Sequence, residues 1–176
     1  MNEQEIREWI LDGAPKRLRE SKSYREARKK RLIQMPAYRS RISEEELNDL
    51  VAYFKAVAWF DKPPSELALK GRDVAFEKGC FGCHGPLGMG RLPNPGSFKG
   101  YIPGWDSPDF RELVRNEQEL EEWILDGVSP RFRSNPAAQF FLKRQLIKMP
   151  AYRNHLSPKE LEALKAFIRW VQQMHP

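Results

Sequence analysis

The residues best able to do chemistry stand together at Cys80-Phe81-Gly82-Cys83-His84. These are the chain's two cysteines, followed at once by one of its three histidines. Two thiols three positions apart sit on neighbouring turns of a helix end, with an imidazole directly after them. Zinc would need a second pair of ligands, and the sequence offers no other cysteine. A thioredoxin-like redox pair would need a strand–helix–strand setting, which the flanking helical periodicity denies. Nor do two cysteines make a disulfide framework. The chemistry this spacing serves is covalent attachment of haem c. Each thiol reaches one vinyl group, and His84 comes under the iron as the proximal ligand.

An iron held on one side by an imidazole takes a soft neutral donor or another imidazole on the other. Met89, Met149, Met174, His155 and His175 are the candidates. Met89 lies five residues past His84, too near to cross to the opposite face. Met174, His155 and His175 lie on or beside the last helix. Met149 follows an apolar helix and precedes Pro150, which holds it in extended chain. The alternative use of Met149 is to fill a core.

The elements that must position these residues are written nearly twice. Residues 2–13 (NEQEIREWILDG) answer residues 116–127 (NEQELEEWILDG), an offset of 114. With no gap, Leu32-Ile33-Gln34-Met35-Pro36-Ala37-Tyr38-Arg39 then falls on Leu146-Ile147-Lys148-Met149-Pro150-Ala151-Tyr152-Arg153. Coincidence does not place Trp, Asp-Gly and Met-Pro at one offset, so the chain carries a duplicated module. Residues 66–115, with both cysteines, have no counterpart before Met1. The reading is therefore residues 1–60 as the C-terminal half of a first module, 61–65 with Pro63-Pro64 as a stiff linker, and 66–176 as a complete second module.

The pattern is all-helical. Ser65 can cap a helix through Leu67, Val74 and Phe76 towards Cys80. Glu117 to Leu125 reads as a helix closed by Gly127, and Ala137 to Leu146 as another. In the last helix Ser157 and Glu160 make a capping box and Pro158 takes the first position. Leu161, Leu164, Ile168 and Val171 form its apolar stripe, and Ser43 with Glu46 repeats the capping box in the first half. Between Gly85 and Pro108, Gly and Pro density predicts a long ordered loop, which in a small domain wraps something.

Residues 66–176 resemble a class I cytochrome c domain. The marks are Phe76 four before the first cysteine, Cys80-x-x-Cys83-His84-Gly85, Met149-Pro150-Ala151-Tyr152 and the striped final helix. The resemblance implies an all-α fold wrapped around one covalent haem c, His84 and Met149 as axial ligands, and electron transfer as the activity. In such domains a backbone carbonyl after the histidine fixes the imidazole, and Pro93 or Pro95 could mark that place. Tyr152 and Trp105 are candidates to donate to haem propionates, with core packing as their other use. Trp123 reads as core. The repeat makes the nearest resemblance a tandem dihaem c-type cytochrome.

Against that pattern, residues 1–60 keep Met35 but no cysteine or histidine before it. Without a haem, Trp9, Leu11, Ile33, Tyr38, Leu47 and Phe54 lose the surface they would cover. Met1 is followed by alternating charges rather than a signal peptide, whereas the family's haem is attached outside the cytoplasmic membrane. The expectation is one cause for both absences, Met1 being an internal methionine of a longer dihaem protein or the gene being truncated, rather than a deliberately haemless first half; a second haem is expected only with such a longer N-terminus.

Charge and composition narrow the function. With 40% apolar and 31% charged residues and no long apolar run, the chain reads as globular, with no membrane span. Net charge is +6, which favours redox partners with acidic docking surfaces. The basic run from Arg25 to Arg31 reads as a solvated helix face, since no nucleic-acid-binding motif accompanies it. The leading expectation is a periplasmic electron carrier rather than an enzyme. A haem enzyme or gas sensor with a labile sixth ligand, acting on peroxide or nitrogen oxides, is the alternative, and docking onto a larger oxidoreductase is compatible with the first.

Overall fold

The computed structural model describes residues 1–58 and 61–174. The chain divides into two compact units, Met1–Phe60 and Asp61–Pro176.

The first unit holds four helices: α1 (Glu3–Asp12), α2 (Lys16–Glu20), α3 (Lys22–Lys29) and α4 (Glu44–Val57). The Asn2 side chain accepts from the Glu5 amide to start α1, and Gly13, in the left-handed region, ends it. Helix α4 starts on the full capping box, with Ser43 and Glu46 each satisfying the other's amide. Ile6 of α1 packs with Leu47 and Val51 of α4, flanked by Ile10, Leu11 and Ile42. Helix α3 buries no residue, which accords with a solvated basic face.

The second unit opens with α5 (Glu66–Glu77) and closes with α11 (Pro158–Met174). Between them lie α6 (Phe81–His84), a 3-10 turn at Pro86–Gly88, α7 (Pro108–Leu113), α8 (Glu117–Asp126), α9 (Pro130–Arg133) and α10 (Pro136–Arg144). Among the described residues the non-helical pairing is a single antiparallel bridge, Pro93 with Tyr101. No helix among them is long and apolar enough to cross a membrane.

The core of this unit is the crossing of α5 on α11. A Cβ at Gly71 would lie 1.9 Å from the Ala163 carbonyl oxygen and 2.8 Å from the Phe167 Cβ, so the helices meet backbone to backbone. Ala68, Val74 and Ala75 from α5 are buried, as are Leu161, Ala163, Leu164, Phe167, Ile168 and Val171 from α11. The other side of α11 takes α8 through charge. The Lys165 ammonium, almost wholly buried, bonds Glu162 at 2.6 Å and Glu121 at 3.2 Å, and Arg169 pairs with Glu117. Leaving Lys165 there without those carboxylates would be costly.

One local expectation changes, while Phe76, the aromatic four before Cys80, stands 70% exposed. Helix α10 starts at Pro136, capped by Asn135, and stops at Arg144, where the next residues are drawn off by a loop.

A Gly71→Val substitution should lower the stability of the holoprotein by about 3 kcal/mol, the upper range for overpacking a core. Chemical denaturation checks this, and an unchanged midpoint would mean that α5 and α11 do not touch there.

Candidate cofactor site

Helix α5 hands the chain to the cysteines through a left-handed glycine. The Cys80 amide donates to the Ala75 carbonyl and the Gly79 amide to the Phe76 carbonyl, while Gly79 has φ +75°. This is the Schellman closure, which favours glycine at that point and sets Cys80 directly beyond it. Cys80 then starts α6, and the His84 amide donates to the Cys80 carbonyl at 3.0 Å. One helical turn thus carries both thiols and the imidazole.

His84 is fixed from behind. Its ring lies 5.0 Å from that of Trp105, at an interplanar angle of 38°. Trp105 is 3% exposed and also packs on Phe81 and Phe167. Trp105 reaches this place only because Gly88 has no side chain. A Cβ there would fall 2.0 Å from the indole, and φ is +77°. The Trp105 amide closes the arrangement on the Gly88 carbonyl at 2.7 Å.

Burial decides the protonation of the site. Desolvation pushes the His84 pKa down to about 4, against a smaller opposing pull from the Pro103 carbonyl. The imidazole is therefore neutral near pH 7, the form that binds a metal. Its Nδ1 is buried and makes no hydrogen bond. Desolvation also pushes the Cys80 thiol up to about 11, which keeps it protonated.

These groups open onto a cavity of about 730 Å³. Cofactor pockets span roughly 300–1,000 Å³, so the space suits a large planar group. Cys80, Cys83 and His84 line it, as do Met149, Phe110, Leu120, Ile124, Phe141, Leu164 and Ile168. An apolar cavity with two thiols, one orphaned imidazole nitrogen and a thioether fits covalently attached haem c.

Met149 is held by its backbone from two directions. On one side the Tyr152 and Arg153 amides donate to the Ile124 and Leu125 carbonyls of α8, and Arg153 makes a forked pair with Asp126. Gly127, with φ +73°, lets the Met149 carbonyl approach to 2.5 Å of where its Cβ would be. On the other side the Asn94 side chain grips Ile147, donating to its carbonyl at 2.9 Å and accepting from its amide at 2.8 Å. The Leu146 amide donates to the Pro95 carbonyl.

Other sequence candidates fall differently. Pro93 pairs with Tyr101 and is not part of the cavity wall. The carbonyl beside His84 is that of Pro103, which the following Gly104-Trp105 turn carries to the ring. Pro95 serves the methionine loop instead. The Tyr152 hydroxyl donates to the Lys78 carbonyl at 3.0 Å, which ties the methionine loop to the end of α5. Trp105 lines the cavity as the support of His84. Trp123 is half-buried in the wall, its Nε1 donating to the Leu113 carbonyl at 3.3 Å. Met89, His155 and Met174 do not line the cavity, and His175 lies outside the described residues.

Sequence reasoning missed Asn94, Gly88 and Ser97. The Asn94-Pro95-Gly96 turn was legible as a loop, but not its grip on Ile147. Ser97 lines the cavity with a buried hydroxyl that has no partner.

In the first unit the same clamp recurs at the repeat offset. The Tyr38 and Arg39 amides donate to the Ile10 and Leu11 carbonyls, and Arg39 forks onto Asp12. Gly13 admits the Met35 carbonyl to 2.5 Å, as Gly127 does Met149. Arg39 holds the Asp12 carboxyl below its ordinary range.

Residues 68–172 match the protein family described as Cytochrome c. Among characterised proteins, the chain is similar to cytochrome c oxidase subunit 2 of Alkalihalophilus pseudofirmus, 32% identical over 119 residues. That stretch is 65% of this chain and 28% of the relative, so the chain spans under a third of the relative's length. No solved structure matches.

Asn94→Ala should remove the grip on Ile147 and lower stability by about 1–2 kcal/mol, since it leaves a part-buried amide and carbonyl without their partner. Gly127→Ala should cost a similar amount, about 1–2 kcal/mol for left-handed backbone alone. Thermal unfolding of both variants checks this, and wild-type midpoints would mean the loop is held elsewhere.

Proposed function

The chain belongs to the cytochrome c family, and on that footing we propose that it is an electron carrier with low-spin His84/Met149 ligation, acting in the periplasm between redox protein partners. The family brings covalent haem c, and with it a one-electron couple at the iron. Cys80 and Cys83 hold the group, and His84 supplies the proximal nitrogen. The observation that carries the ligation is the backbone clamp that brings Met149 to the same cavity as a neutral His84. With both axial positions filled by protein, outer-sphere transfer is favoured over oxygen or peroxide chemistry, and a thioether raises the potential relative to a second imidazole.

Partner choice follows charge and exposed apolar surface. Phe98 and Phe140 stand exposed at one side of the cavity, each packed edge-on against Phe141, with Lys143, Arg144 and Lys148 exposed around them. This surface suits an acidic partner, and salt should slow the encounter. The relative's name, cytochrome c oxidase subunit 2, supports a respiratory oxidoreductase as the partner to test first. The first unit is read as the back half of a second such module, with Met35 in the place of Met149 and no cysteine pair of its own.

Met149→Ala should lower the potential and give a high-spin iron that binds carbon monoxide. An unchanged absorption spectrum would sink that ligand. His84→Ala should yield no stable low-spin holoprotein, whereas Met35→Ala should leave the spectrum of the resident haem as it was. Both are read by visible absorption and redox titration.

A further inference from the structure

One short ribbon of chain reaches the surroundings of both His84 and Met149. Residues 92–102 double back on themselves. The Ile102 amide donates to the Leu92 carbonyl and the Asn94 amide to the Gly100 carbonyl, each at 2.8 Å, and Pro93 bridges Tyr101. From the first arm, the Asn94 side chain grips the Ile147 amide and carbonyl, and the Pro95 carbonyl accepts from the Leu146 amide. From the second arm the chain runs straight into Pro103, whose carbonyl lies beside His84, and Trp105, whose ring stands 5.0 Å from the imidazole. A shift of the ribbon is therefore passed to the methionine loop and to the imidazole together.

The ribbon is weak in its own fabric. Gly96 and Gly100 take left-handed backbone at φ +82° and +80°, and prolines at 93 and 95 withhold two amides, so no regular ladder extends it. Helix α10, which leads into the methionine loop, buries none of its residues and lends that side little support. The ribbon has to be held from outside, and α7 holds it. That helix is itself well seated: Phe110 is buried, and the Ser107 hydroxyl donates to the Gly104 carbonyl at 2.7 Å while accepting from the Phe110 amide. From this footing the Asp109 carboxylate accepts from the Tyr101 hydroxyl and pairs with Lys99 at 2.9 Å. The Lys99 pair is partly open to solvent and contributes little. The tyrosine bond, made to an ionised acceptor, is the stronger hold.

Resting on the reading of His84 and Met149 as the axial pair, we propose that Tyr101 and Asp109 are positioning residues for both ligands, acting on them through the ribbon. The Tyr101–Asp109 bond fastens the ribbon to α7. Asn94 then keeps the methionine loop against the cavity, while Pro103 and Trp105 keep the plane of the imidazole. Releasing the one bond loosens the sixth ligand and turns the fifth in the same motion. How readily Met149 leaves the iron is thus set at a hydroxyl–carboxylate pair that belongs to neither ligand loop.

The test takes the full ferric holoprotein and adds imidazole, a neutral competitor for the iron. Tyr101→Phe and Asp109→Asn should each speed displacement of the methionine about tenfold, as expected for the loss of one hydrogen bond to a charged group. Glu112→Gln alters an exposed carboxylate that meets Lys99 at 3.6 Å, and should stay within about twofold of wild type. Tyr101→Phe should also move the haem-methyl resonances, which report how the axial ligands are oriented. Either readout unmoved in Tyr101→Phe overturns the coupling. So does acceleration in Asp109→Asn alone, because lost charge at the rim, and not lost hold, is then the cause. If Asp109→Asn does not retain haem, Tyr101→Phe, which keeps the ring, decides alone. Wild type is read first: a spectrum without the methionine–iron band refutes the Met149 ligand by itself, and the haem-methyl pattern then decides the hold on His84.

Discussion

Backbone contact between α5 and α11 at Gly71 and Ala163 governs where the chemistry of the second unit can lie. A side chain of any size at position 71 would lift α5 away, and with it the Gly79 turn and the pair of cysteines that follow. Because the two helices share one line of contact, α6 is delivered to a fixed place above the apolar face of α11. The Tyr152 hydroxyl then fastens the methionine loop to the last carbonyl of α5. A tight crossing far from any reactive atom thereby sets the separation between the two ends of the site.

The site is built from groups held neutral. Burial keeps His84 unprotonated, attachment to haem leaves the two cysteine sulfurs uncharged, and the lining is mostly aliphatic and aromatic. Charge stands at the rim, in Lys99, Asp109 and Lys148, and outside the cavity in the Lys165 cluster between α8 and α11 and the Arg153–Asp126 fork. This division lets an iron centre of low net charge sit in a low dielectric, where each change in oxidation state is felt strongly by its surroundings.

Much of this was legible in the sequence, for reasons that differ by residue. The cysteines and His84 announce themselves because covalent attachment tolerates one spacing. The capping boxes at Ser43 and Ser157 are local, needing only three residues to satisfy each other, and both form as written. What was hidden depended on contacts distant in the chain. Asn94 grips a residue 53 positions away, and nothing in its own neighbourhood signals that. Pro93 failed as the histidine's neighbour because the loop pairs it with Tyr101 and brings Pro103 round instead. Phe76 marks the resemblance by its distance from Cys80, yet its own exposure could not be read from that spacing.

The methionine clamp recurs in both units with the same amide-to-carbonyl pairs, the same Arg–Asp fork and the same left-handed glycine, so its shape is written locally in the repeated sequence. On the proposed ligation, a donor atom offered from a loop pinned on both sides would shift little when the charge on its neighbour changes by one, and the chain would have little to readjust as an electron passes.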